Sequence, residues 1–137
     1  MEGEARPGSG QDFLRPFRTG PKDESSWIWA GGIRLSLLTG DTLYPGLLTV
    51  QDWNAYRRSA ARLAAFAQQH EVALVLGNHI EMKKAPGELY PIGTTFQPDE
   101  HALPLKTAHI EELHAACEAM ADSPHRDVHD DFIIDVS

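Results

Sequence analysis

No histidine occurs before position 70 in this chain, cysteine occurs once, and no apolar run approaches the length of a membrane span. Each absence excludes something. A span needs roughly 18 consecutive apolar residues, and none is present. A lone Cys117 rules out an internal disulfide and any cysteine-based zinc ribbon. It falls among Ala115, Ala116 and Met120, where buried packing is the natural reading for a thiol. Basic residues are scarce: 12 Lys and Arg face 20 Asp and Glu, for a net charge of −8 and a pI near 5.2. That balance argues against a nucleic-acid or acidic-membrane partner. The acidic residues are scattered, as solubility requires, and form no tail. The N-terminus carries Glu2 and Glu4 and has no apolar core, so it does not read as a secretory signal. Cytoplasm is the default location. There are no internal repeats.

What is present suffices for one small domain. Of 137 residues, 42% are hydrophobic, and a chain of this size can bury roughly two-thirds of its extended surface. Residues 1–26 are rich in Gly, Pro, Ser and charge and read as a flexible leader, with Phe13 and Phe17 as its only large anchors. Residues 27–137 form the body. Trp27 to Ala30 is a short strand, Gly31-Gly32 a two-residue turn, and Ile33 to Leu38 its antiparallel return. From about Gln51 to Gln69, Trp53, Tyr56, Ala60, Leu63, Ala64 and Ala67 recur at helical spacing. Arg57, Arg58 and Arg62 take the other faces, and Asp52 suits the helix start. Glu71 to Leu76 is a strand with both faces apolar, which predicts a sheet covered on both sides. Ile80 to Leu105, punctuated by Pro86, Gly87, Pro91, Gly93 and Pro98, is irregular; so long a loop is functional or partly disordered. A second helix follows Thr107, its expected N-cap, and buries Ile110, Leu113, Cys117 and Met120. Phe132-Ile133-Ile134 is a short final strand.

Two runs carry chemistry. Leu35 to Leu38 is mostly apolar and stops at Thr39-Gly40-Asp41; Val72 to Leu76 stops at Gly77-Asn78-His79. Apolar runs bounded by Gly are buried strands, and open α/β sheets place ligand-binding residues just past the carboxyl ends of their strands. If both strands share one sheet and one direction, a carboxylate and an imidazole converge at one edge. The plainer reading is that Asp41 is a turn or cap residue and His79 a hydrogen-bonded neighbour. Two other groupings read as structure. Pro98-Asp99-Glu100-His101 is a turn, since neighbours on extended chain point opposite ways. His125 and His129 have the four-residue spacing of a zinc pair, but Pro124, Asp127, Asp130 and Asp131 make that stretch a turn.

Thr39-Gly40-Asp41-Thr42-Leu43-Tyr44-Pro45-Gly46, followed after a helix-sized interval by Leu76-Gly77-Asn78-His79-Ile80-Glu81-Met82, resembles the C-terminal half of the metallo-β-lactamase-fold hydrolases, from about Ile33 onward. The resemblance implies an α+β fold: half of an αββα sandwich, with a mixed sheet and two main helices. It also implies that Asp41 bridges two metal ions and that His79 completes the second metal site. The ions, zinc in most branches, activate a hydroxide that attacks an ester, lactone, lactam or thioester of a small-molecule substrate. The family's His-x-His-x-Asp-His cluster has no counterpart here, because no two histidines stand one residue apart. Its further upstream His ligand is missing as well. No catalytic residue beyond the two ligands is assigned, and no organic cofactor is implied. Three readings stay open: an incomplete, inactive copy; one half of a two-chain enzyme; or a non-catalytic interaction module that keeps half the fold. All three leave an inner face built from Ile33, Leu35, Leu37, Val72 and Leu74 in need of cover, and predict self-association or pairing with another chain.

Overall fold

The computed structural model describes the backbone of residues 13–18, 25–31 and 34–137, and side chains from residue 35 onward. Among the described residues, seven strands and two helices follow in order: β1 (Phe13–Arg18), β2 (Ser25–Gly31), β3 (Arg34–Gly40), β4 (Leu47–Val50), α1 (Trp53–Gln69), β5 (Val72–Gly77), α2 (Thr107–Met120), β6 (Asp127–Val128) and β7 (Ile133–Val136). The strands form two mixed sheets. One has the order β1-β2-β3-β5 and the other β4-β7-β6. In the first, β1, β2 and β3 run as an antiparallel meander and β5 joins β3 in parallel. In the second, β4 and β7 are parallel and β6 pairs antiparallel with β7. The class is therefore α+β, with two helices and mixed sheet. No helix among the described residues is long and apolar enough to cross a membrane.

The first hairpin pairs antiparallel with Gly31 opposite Arg34; Gly31, expected in the turn, is the last residue of β2, and residues 32 and 33 lie outside the described residues. Within the stretch expected to be a flexible leader, Phe13–Arg18 is strand β1, and Ser25-Ser26 open β2. The side chains of Phe13, Phe17, Trp27, Trp29 and Ile33 lie outside the described residues.

The core lies where α1 and α2 pack together over the inner faces of the sheets. Its fully buried members include Leu37, Leu63, Val75, Ile110, Leu113, Cys117 and Phe132. Helix α1 begins at an N-cap, Asp52, whose side chain accepts the Ala55 N–H at 3.0 Å. That bond satisfies one of the donors a helix start leaves open. Ala55, Ser59, Ala60, Leu63, Ala64 and Phe66 form its buried stripe, while Arg58 and Arg62 are exposed. In α2 the N-cap is Lys106, one residue before the expected Thr107. Lysine cannot accept a backbone proton; instead the Nδ1 of His109 accepts the Lys106 N–H at 3.0 Å, closing the first turn from inside.

One expectation fails at β5. A strand with two apolar faces should be covered on both, but Val75 is fully buried while Ala73 and Leu74 are exposed. The reason is alternation: Val75 joins the core cluster on one face, while Leu74 next to it points to the other face. The inner face predicted to lie bare is largely occupied. Of its described members, Leu37 is fully buried, Leu35 and Val72 pack against the core, and Leu74 is exposed; Ile33 lies outside the described residues.

The segment between β5 and α2 holds its course through backbone pairing. Met82 bridges Leu89, Lys83 bridges Glu100, and Leu105 bridges Val75. Met82 and Leu105 are buried anchors at its two ends.

Burial pushes the Cys117 thiol up to about 12, with Arg57 opposing and Glu118 and Asp127 adding to the rise. The thiolate is the reactive form. We therefore expect native protein to resist iodoacetamide at pH 8.5 and to be alkylated at Cys117 once unfolded in urea, as read by mass spectrometry.

Candidate functional site

The site is set by two adjacent strand ends. Strands β3 and β5 run parallel with Leu38 opposite Leu76 and Gly40 opposite Gly77. Both strands therefore stop at the same level, and the next residues leave from one edge. Gly40 has φ +55°, a left-handed turn that only glycine enters cheaply. At Gly77 the constraint is space. A Cβ there would meet the Leu43 carbonyl at 2.5 Å and overlap Tyr44. The backbones approach this closely because the Asn78 N–H donates to the Gly40 carbonyl at 3.0 Å.

Thr39, fully buried, ties the three pieces together. Its hydroxyl donates to the Leu43 carbonyl at 2.7 Å and lies 3.3 Å from the Leu76 carbonyl. The Thr42 N–H closes the turn on the Thr39 carbonyl at 2.9 Å. Beyond it, Tyr44 is buried and donates to the Leu47 carbonyl at 2.6 Å. Glu81 accepts the Leu47 N–H at 2.9 Å, and its own N–H donates to the Pro45 carbonyl at 2.7 Å. The 39–47 turn is thus fastened to the residues after β5 by main-chain and side-chain bonds on both flanks.

On this base Asp41 and His79 meet. His79 Nε2 lies 3.0 Å from Asp41 Oδ1, and the two side chains are 51% and 61% exposed. Asn78 Nδ2 donates to the same Asp41 oxygen at 3.3 Å. The Tyr44 ring stands edge-on to His79, with centroids 5.1 Å apart at 69°. A contact this exposed would be worth about 0–1 kcal/mol even as an ion pair, so it adds little to stability and leaves both groups open to a ligand. An open depression of about 710 Å³ adjoins Asp41, lined also by Val50, Asp52, Trp53, Tyr56 and Ser59.

The donor pair suits a metal ion. Zinc bonds of about 2.0–2.2 Å to imidazole and carboxylate at a tetrahedral angle put the two donor atoms about 3.3 Å apart. The observed 3.0 Å needs only a small opening. Among the described residues, no group of three or more His, Cys, Asp or Glu is placed to hold a metal ion.

Sequence reasoning missed Asn78, Tyr44 and Glu81 as parts of this site. All three lie inside the two motifs, and Asn78 precedes His79, but their roles depend on the strand register. The other histidine groupings do not join the site. His101 turns to Asp131 and His129 to Glu112 and Asp127, while His125 Nδ1 bonds the Ser123 carbonyl. The chain has no match to a protein-family model, to a curated protein or to a solved structure.

Two outcomes follow from the geometry. Gly77→Ala forces backbone against backbone and is expected to destabilise the fold by about 1–3 kcal/mol in urea titrations. The Tyr44 phenol is raised by burial first, then by the Glu81 and Asp41 carboxylates. An acid whose native form holds its proton loses stability once the unfolded chain releases that proton. Stability should therefore fall above about pH 10, the ordinary tyrosine value, and Tyr44→Phe should remove that part of the slope while costing about 1 kcal/mol at neutral pH for the lost hydrogen bond.

Proposed function

We propose that this chain carries part of a metallohydrolase centre of the metallo-β-lactamase type, with Asp41 and His79 as metal ligands. The observation that carries the reading is the convergence of these two side chains, 3.0 Å apart, past the ends of parallel strands β3 and β5. The order of the Thr-Gly-Asp and Gly-Asn-His motifs supports it, and so does the α+β arrangement around them. On this reading the described body corresponds to half of an αββα sandwich, and the depression beside Asp41 receives a small ester, lactone, lactam or thioester.

Asp41 and His79 would hold zinc, which when bound supplies an acidified water at neutral pH. The chain's own residues prepare the place. Asn78 fixes the carboxylate through its amide, the Tyr44 ring limits the swing of the imidazole, and Thr39 holds the turn that carries Asp41. Two ligands fall short of the three protein ligands a catalytic zinc site takes. The remaining donors would come from another chain, which makes pairing or self-association part of the proposal. The second reading is a non-catalytic interaction module that keeps half the fold, with Asp41 and His79 as a hydrogen-bonded pair on its surface.

Cobalt(II) absorption and zinc equilibrium dialysis on the purified chain test the ligand assignment. Weak binding is expected, reduced at least tenfold by Asp41→Ala and by His79→Ala. Equal binding by both variants would refute it. The chain alone should hydrolyse neither a chromogenic cephalosporin nor simple esters and lactones. Turnover abolished by a chelator and by Asp41→Ala would show a complete centre instead.

A further inference from the structure

Beside the Asp41 depression lies a second, smaller groove of about 340 Å³. Leu47 and Thr49 line it from β4, where they face outward while Leu48 and Val50 face the core. Tyr44, Leu89, Tyr90, Pro91 and Ile92 supply further surface. Two residues connect this groove with the candidate site. Thr49 borders both depressions. Tyr44 lines the groove and sets its ring edge against His79.

The polar groups around the groove are already engaged. The Tyr44 hydroxyl donates to the Leu47 carbonyl at 2.6 Å, and Glu81 Oε1 accepts the Leu47 N–H at 2.9 Å. Thr94 Oγ1 donates to the Pro91 carbonyl at 2.6 Å, and Gln97 Nε2 to the Thr94 carbonyl at 3.3 Å. The Tyr90 hydroxyl accepts the Asp99 N–H at 2.7 Å, and Lys83 Nζ stands 5.5 Å from the centre of the Tyr90 ring. No Lys or Arg among the described residues lines the groove. What it offers a ligand is mainly hydrocarbon, beside one carboxylate that repels anions.

The turn that overlooks the groove holds apolar side chains out in water. Ile92 is fully exposed and Phe96 largely so, two of the four large hydrophobic residues exposed among the described residues. The turn is closed by its own bonds, since the Thr94 N–H also donates to the Pro91 carbonyl at 3.1 Å. It stands clear of the body: a Cβ placed on Gly93 would meet nothing within 4 Å. Clustered apolar side chains kept exposed at the rim of a groove mark a place where a ligand or partner covers them.

We infer that the groove holds the hydrocarbon chain of the substrate, so that the site takes an uncharged acyl ester or thioester of medium chain length. Its carbonyl would lie at Asp41 and His79, and its chain would pass Tyr44 and Thr49 to rest against Ile92. Only the carbonyl end rests on the metallohydrolase reading; the groove itself needs no metal. Continuity with the Asp41 depression argues for a chain attached to the same substrate over a separate partner. Size sets the length. A methylene fills about the volume of one water molecule, about 30 Å³, so 340 Å³ takes a chain of roughly ten carbons.

Titration of the full chain with 1-monoacylglycerols of four to ten carbons, each below its micelle-forming concentration and with EDTA present, tests this by amide ¹H–¹⁵N shifts. Saturable shifts are expected at Thr49, Gly93 and Thr94. Affinity should rise about threefold per added methylene, a little under the full-burial value because the groove is open on one side. Ile92→Ser changes a side chain that packs on nothing, so the fold should hold while affinity for the ten-carbon chain falls at least fivefold. Val128→Ser, at an exposed apolar residue outside the groove, should leave the whole series unchanged. EDTA keeps metal out of the measurement, so a chain that binds the series but no zinc would keep the groove and lose only the metal assignment. Affinity independent of chain length, or no effect of Ile92→Ser, would overturn the inference. So would binding to phosphatidylcholine vesicles without saturable binding of the soluble series, which would make the 91–97 turn a membrane contact instead.

Discussion

The parallel pairing of β3 with β5 is the constraint on which the rest depends. It requires both strands to stop at the same level, and the facing glycines make that stop possible. Gly40 turns the chain through a left-handed residue. Gly77 lets the Leu43–Tyr44 backbone lie where any Cβ would stand. With that approach made, Thr39 reaches the Leu43 carbonyl, Asn78 reaches the Gly40 carbonyl, and Asp41 and His79 are left facing one another. None of these contacts is strong alone. They hold because the backbone under them admits no slack.

The parts of the fold that were legible in the sequence are those governed by local period. Helix α1 was readable from Trp53, Ala60, Leu63 and Ala64, and α2 from Ile110, Leu113, Cys117 and Met120. The two strand-then-ligand runs were readable because glycine ends an apolar stretch visibly. What escaped depends on partners far along the chain. That β5 is an edge strand cannot be read from Val72 to Leu76, since an apolar strand looks the same at an edge and in the middle. The cap of α2 was misplaced because Thr107 has the better side chain, whereas the fold uses His109 from within the helix. Strand β4 escaped because four residues beside Pro45-Gly46 are too few to show a period, and its partner β7 lies at the far end of the chain.

The histidines of this protein divide by environment. His79 is half exposed, with a carboxylate on one nitrogen and an aromatic edge beside it. Such a ring gives up little when it changes partner. His101 and His129 are largely buried, and both their nitrogens are engaged. They are held in place by the carboxylates around them, His101 by Asp131 and His129 by Glu112 and Asp127. Residue type and spacing do not separate these roles; solvent access and the count of acceptors around each ring do.

Strand β4 has consequences for how the chain comes to be folded. Among the described residues its ladder partner is β7, with Leu47 opposite Ile133 and Val50 opposite Val136. Helix α1, strand β5, the long 80–105 segment and helix α2 all lie between them. During synthesis, the meander of the first sheet and α1 can assemble as they emerge, while Leu48 and Val50 remain unpaired until the last strand is available. Contacts of such separation close late because the loop must be ordered before they contribute. A nascent chain paused anywhere in that interval presents an open strand edge beside a part-built core, the kind of surface that other chains and chaperones engage. The vulnerable period of this protein is therefore set by the translation time between Val50 and Ile133.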